Sequence, residues 1–247
     1  MKLRTQIDLG LTGWPGRVNH SFIAVVDYFI EKERKMEHRI DQGMASDSPK
    51  KGGLLPSRIA VQALTRVAST VTRRKLHISD SSRWRQDASL APAWEDRVAL
   101  MASKIEPGRR VLDIGSGAQT TRRHLPDNCE YIPLDLVART PETIVCDLNR
   151  DTLPALQVDW VIASGVLEYI IDIPRFLAEV ASASRHAVVS YAVRNPGDSV
   201  FGRRTHGWVN DFTQEQIEAL LIRYGFVVDE CNQWKSQMIY WLTANID

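Results

Sequence analysis

The sequence predicts an α/β fold: an open, mostly parallel sheet with helices on both faces, preceded by a helical N-terminal extension. Three observations carry that expectation. Short apolar runs recur between residues 111 and 243, several of them ending in an acid or a glycine turn. Helix-period segments with start and stop signals lie between some of these runs. The first run, Val111-Leu112-Asp113-Ile114, passes directly into Gly115-Ser116-Gly117-Ala118, ahead of a helix-like segment. A strand that ends in Asp-x-Gly-x-Gly presents a backbone turn that a nucleotide-like ligand can approach closely, since a side chain there would block it.

The elements follow in order. Residues 1–20, with Gly10, Gly13, Pro15 and Gly16, read as coil. Phe22, Val25, Val26, Phe29 and Ile30 recur at helical spacing within 21–40, and 41–56 is a polar linker rich in Ser, Gly and Pro. Pro56-Ser57 opens a second helix, with Ala60, Leu64, Val67, Ala68 and Val71 on one face and Arg58, Arg66, Arg73, Arg74 and Lys75 around it. A third helix is expected over 92–105, turning Trp94, Val98, Met101 and Ile105 inward. Strands are expected at 111–114, 130–135, 143–148, 158–164, 186–193, 226–231 and 237–243, the last two joined by a short loop. Asp172-Ile173-Pro174 starts a helix through Ala183. Thr213 and Gln216 form a capping box for another, which runs to Tyr224 and stops at Gly225.

With 247 residues, 44% of them hydrophobic, the chain can bury a full core, so one domain plus an extension is expected. Cys129, Cys146 and Cys231 are scattered without a C-x-x-C pair, which argues against a disulfide framework or a zinc site and fits a reducing compartment. No apolar stretch approaches the roughly 20 residues of a membrane span. Phe22 to Ile30 is short, is interrupted by Asp27 and lacks a signal-peptide layout, so a cytoplasmic location is expected. The net charge of +1 hides an asymmetry: residues 1–89 hold 16 Lys/Arg against 9 Asp/Glu, and residues 90–247 hold 15 against 21. The basic front segment suits either an anionic partner or a fold-back onto the acidic half.

The motifs VLDIGSG (111–117), YIPLDL (131–136), IVCDLN (144–149) and VIASGVLEYI (161–170) stand in one order at characteristic spacing. In them the chain resembles the class I S-adenosylmethionine (SAM)-dependent methyltransferases, with a layout similar to the MetW-like and type-11 groups. The resemblance spans roughly residues 84 to 245. It implies a Rossmann-like seven-stranded, mostly parallel sheet with an antiparallel last strand, in a domain over 84–247 that follows an extension over 1–83. It further implies SAM as cofactor and S-adenosylhomocysteine as product, with in-line SN2 transfer of a methyl group to a small-molecule or glycan acceptor, at oxygen. A dinucleotide-binding dehydrogenase is disfavoured because its third small residue would fall at Thr120. A nucleic-acid methyltransferase is disfavoured because the fourth strand tip has no Asn/Asp-Pro-Pro-aromatic box. No metal is required.

Ligands in such sheets bind beyond the carboxyl ends of the strands. By resemblance Asp113, with Gly115, Ser116 and Gly117, holds the methionine end; the plain alternative is a turn cap. Asp135, beside Leu136, takes the ribose hydroxyls, or is a solvated acid. Asp147 accepts from the adenine amino group with Leu148 on the ring, or caps a helix. Ser164 and Gly165 lie near the sulfonium. The family pattern often has a third glycine where this chain has Gln119. On the substrate side Glu168 is a candidate for acceptor or cofactor binding, whereas Tyr169 reads as core. The 19-residue stretch from Arg194 to Phe212 is long enough for a lid. Within it His206 is a candidate general base, Arg203 and Arg204 suit a carboxylate or phosphate, and Trp208 suits an acceptor platform; each has a structural alternative. The basic helix over 58–75 allows contact with an anionic membrane surface, and the chain a homodimer. The other functional class in view is a SAM-fold binding or regulatory protein without turnover, docking a partner through its N-terminal helices.

Overall fold

The computed structural model describes residues 58–86 and 94–245. The coil, helix and linker expected over 1–56 lie outside the described residues, as does the expected helix start at Pro92. The chain divides into two compact units, Met1–Val61 and Gln62–Asp247, and the sheet belongs to the second. That unit includes residues 62–83, which the sequence assigns to the extension.

The helices are α1 (Arg58–Leu76), the single turn α2 (Ser81–Trp84), α3 (Glu95–Ala102), α4 (Ile173–Ala183), α5 (Val200–Thr205) and α6 (Gln214–Arg223). The strands are β1 (Arg110–Ile114), β2 (Glu130–Asp135), β3 (Ile144–Val145), β4 (Val158–Ala163), β5 (Ser184–Tyr191), β6 (Phe226–Trp234) and β7 (Gln237–Ala244). They form one sheet in the order β3-β2-β1-β4-β5-β7-β6. The first five run parallel, and β7 is antiparallel to both β5 and β6, the expected topology.

Strand alternation divides the core between the two faces of the sheet. Leu112, Ile114, Val161, Val189 and Leu242 pack with Phe176 and Leu177 of α4 and Ile217 and Leu221 of α6. Val111, Trp160, Ile162, Val188 and Trp241 pack with Met101 and Ala102 of α3. Both helix starts that carry a sequence signal form as expected. Asp172 caps α4 by accepting from the Arg175 amide at 3.1 Å. Thr213 and Gln216 exchange side-chain and backbone hydrogen bonds at the head of α6.

Three local expectations change. The segment after the glycine turn is one 3-10 turn, Thr120–Arg123, rather than a longer helix. Gln119 in the left-handed region precedes it and Pro126 follows closely, which leaves no room for helix propagation. On α1 the buried positions are Val67 and Thr70, while Val71 is 40% exposed, so the stripe is rotated from the one the apolar residues mark. The 194–212 stretch is partly helical, because Ser199 caps the short α5 by accepting from the Gly202 amide. Among the described residues no helix is long and apolar enough to cross a membrane.

Candidate active site

Register brings the strand tips level. Ile114 pairs with Leu134 on one side and Ala163 on the other, so Gly115, Asp135 and Ser164 emerge together at one rim. Asp135 pairs with Val145, which places Asp147 next to it. The rim opens into a cavity of about 350 Å³. Asp113, Gly115, Ser116, Gly117, Asp135 and Leu136 all line it, and so do Asp147, Leu148, Ser164 and Gly165.

The turn after β1 is a tight cradle. Gly115 has φ +69°, and a Cβ there would fall 2.5 Å from Val166 Cγ2, so only glycine fits. The Gly115 and Ser116 amides both donate to the Leu134 carbonyl, at 2.8 and 3.1 Å. Gln119 has φ +55°, the conformation that a glycine would adopt freely. Its side-chain amide donates to Thr140 Oγ1 and Thr143 Oγ1 at 2.9 and 3.2 Å, which offsets that strain. Gln119 thus takes a left-handed conformation at the position where the family pattern often has glycine, with its side chain anchored. The Ser116 hydroxyl is buried and has no partner among the described residues.

The three acids differ in environment. Asp113 is 2% exposed and accepts from the Tyr131 hydroxyl at 2.7 Å. Burial pushes its carboxyl up to about 6, against the opposing pull of hydrogen bonds from Tyr131 and Thr121. Asp135 accepts from the Gly117 amide at 2.8 Å and the Val137 amide at 3.0 Å, and Arg139 stands 3.8 Å away. Asp147 accepts from the Ser79 hydroxyl at 2.6 Å and the Asn149 amide at 3.1 Å.

Several residues at this site were not singled out from the sequence. Thr70, Ile78, Ser79, Asp80 and Trp84, from α1 and the segment after it, form one wall of the cavity. Trp84 meets Tyr169 edge to face at 5.0 Å, and Tyr169 lines the cavity rather than the core. Arg97 of α3 is 4% exposed, donates from Nε to Ser164 Oγ at 2.9 Å, and lies between the rings of Trp94 and Trp234. Its signal in the sequence was a charge on the stripe Trp94-Val98-Met101, where only apolar residues are expected.

The residues expected to meet the acceptor lie elsewhere. Arg203 and Arg204 are each 4% exposed. Arg203 donates to the carbonyls of Ala192 and Asn210, and Arg204 pairs with Asp211 through both Nη atoms. Both guanidiniums are therefore internal braces of the 194–212 segment. Trp208 packs on Arg203 and His206, away from the cavity. His206 is exposed and caps the end of α5. Only its carbonyl faces inward, accepting from Arg83 Nη1 and, at 3.5 Å, from the Tyr169 hydroxyl. Glu168 is 1% exposed and outside the cavity, and accepts from the Ala192 amide at 2.8 Å. In each case tertiary packing, which a loop sequence does not encode locally, sets the direction of the side chain.

A family model described as a methyltransferase domain matches residues 84–230. The MetW-like layout read from the motifs is a finer division than that match draws. No curated protein sequence matches the chain. Among solved structures it is similar to human N-acetylserotonin methyltransferase in complex with SAM, at 14% identity over 76% of this chain and 68% of that one, with a TM-score of 0.55. It is similar to Burkholderia thailandensis 1,6-didemethyltoxoflavin-N1-methyltransferase, at 16% identity over 81% and 95% of the two chains, TM-score 0.51. It is also similar to the cyclase SpnF, at 13% identity over 62% and 81%, TM-score 0.52. At such identities the likeness is one of fold, and a cyclase among the matches separates fold from reaction.

Proposed function

The chain belongs to the methyltransferase-domain family and is a SAM-dependent transferase; we propose that it methylates a small-molecule or glycan acceptor at oxygen. The observation that carries this reading is the convergence of four parallel strand tips on one cavity, with Asp113, Ser116, Asp135, Leu136, Asp147, Leu148 and Ser164 on its lining. The residues present fit SAM. The Ser116 hydroxyl is buried with no partner among the described residues, and Arg97 offers a buried cation.

When bound, SAM supplies an electrophilic methyl group on a sulfonium. In this reading Asp135 accepts from the ribose hydroxyls, Asp147 from the adenine amino group, and Leu148 packs on the ring. Asp113 shapes the glycine turn and favours the ammonium end, while Arg97 and Ser116 take the carboxylate end. Thr70, Ile78, Trp84, Tyr169 and Val209 offer an apolar, aromatic wall, suited to a compact acceptor rather than a polymer. The protein's main work is to hold nucleophile and methyl group in line and to exclude water. Among the described residues no histidine side chain lines the cavity. An acidic acceptor oxygen, a phenol or a carboxylate, needs no strong base and suits such a site. The scattered cysteines support a cytoplasmic location.

Incubating the protein with methyl-labelled SAM and cell extract tests this reading. Label in a small organic molecule, bound through oxygen, is the expected result. Label confined to protein or nucleic acid contradicts it.

A further inference from the structure

Arg97 is an unusual cation. Its guanidinium lies under the rim of the cofactor cavity, and among the described residues no carboxylate lies within ion-pair range of it. It fits against Gly165, where a Cβ would come 2.9 Å from Nη2, so the glycine at the β4 tip makes room for it. Nε donates to Ser164 Oγ, and Nη1 donates to the side-chain carbonyl oxygen of Gln237 at the start of β7. Gln237 in turn donates from Nε2 to Glu168 Oε1 at 3.0 Å, the same oxygen that accepts from the Ala192 amide. Glu168 Oε2 is buried and has no partner among the described residues. A side-chain amide can face either way. Here the buried acceptor on Glu168 claims the NH₂ end of Gln237, which leaves its oxygen for the arginine.

We propose that Glu168 and Gln237 are positioning residues for the cofactor: Glu168 fixes the amide of Gln237, and Gln237 holds Arg97 over the β4 tip to receive the carboxylate end of SAM. The inference rests on the reading that this cavity takes SAM. It gives Glu168, which the sequence suggests as a direct ligand, an indirect role. It also explains why a buried carboxyl sits where an apolar side chain would pack at lower cost. A buried cation whose nearest acid, Glu168, reaches it only through Gln237 is desolvated in advance and strengthens its interaction with an arriving anion.

Calorimetric titration with two ligands tests the relay: SAM, and 5′-methylthioadenosine, which has the adenosine and thioether but no amino-acid arm. Gln237→Leu and Glu168→Ala should each weaken SAM binding about tenfold, the scale of one lost hydrogen bond to a charged partner. The double variant should lose no more than either single one, because both break the same chain. Glu168→Gln keeps an acceptor oxygen and should stay within about twofold of wild type. Methylthioadenosine should bind all variants alike. Unchanged SAM affinity in Gln237→Leu overturns the relay, as does an equal loss for both ligands, which marks general damage to the fold. Wild-type protein that binds neither ligand overturns the cofactor reading and the relay with it, an outcome distinct from failure of the relay alone.

Discussion

Asp113 illustrates how an expected ligand gains its character from its surroundings. The apolar run on either side of it signals a buried strand end, and its placement there was legible in the sequence. The consequence of burial was not, because it depends on Tyr131 and Thr121 being brought alongside. Its carboxyl is lifted to about 6, above an unfolded value near 4. Folding therefore favours the protonated form. The stabilising contribution is complete below about pH 4 and is lost as the pH rises through about 6. Asp113→Asn removes that dependence. In urea unfolding, the stability of the variant relative to wild type should rise by about 1–3 kcal/mol between pH 4 and 7. A difference that stays constant with pH would show that the site is not desolvated as described. Other single residues were legible to different degrees. Asp135 and Asp147 end apolar runs and line the cavity, whereas the role of Arg97 is not encoded locally: it follows Glu95 and Asp96 in a charged first turn, and its partners lie just past β4 and at the start of β7.

Among elements, strands were more legible than connections. Strand order follows from topology that the family resemblance implies, and the capping box at Thr213 marks α6 from local chemistry alone. The 194–212 segment was legible as a possible cover but not in its wiring. It is braced from within by Arg203, Arg204, Asn210 and Asp211, and tied to α1 by the Thr70 hydroxyl, which donates to the Arg204 carbonyl at 3.0 Å. Paired arginines in a loop look like an anion site until their burial is known. Arg204→Ala removes two charged hydrogen bonds to Asp211 and leaves Arg203, whose Nε lies 3.1 Å from Asp211 Oδ1, as its partner cation, so stability should fall by about 1–3 kcal/mol in urea unfolding. Unfolding identical to wild type, with a raised acceptor KM, would return Arg204 to substrate binding. The same reasoning applies to residues 70–84. They begin outside the family match, which starts at 84, yet they form a wall of the cavity, so acceptor selection is expected to depend on this chain's own segment.

At the scale of the whole molecule, parallel pairing does the work of assembly. Each parallel strand needs a return crossover, so all its neighbours present their carboxyl ends at one rim, where separate acids become one site. Four short motifs therefore revealed most of the cofactor side, because their order in the chain maps onto adjacency in the sheet. The acceptor side depends on contacts between segments far apart in sequence, such as Trp84 with Tyr169 and Ser79 with Asp147, and no local pattern encodes them. In the proposed complex a single adenosyl group lies across the tips of β1, β2, β3 and β4. A crystal structure with S-adenosylhomocysteine tests that most directly. The ribose hydroxyls should meet Asp135, the adenine amino group Asp147, and the carboxylate Arg97. A ligand bound elsewhere, or one that touches none of these three side chains, would contradict it.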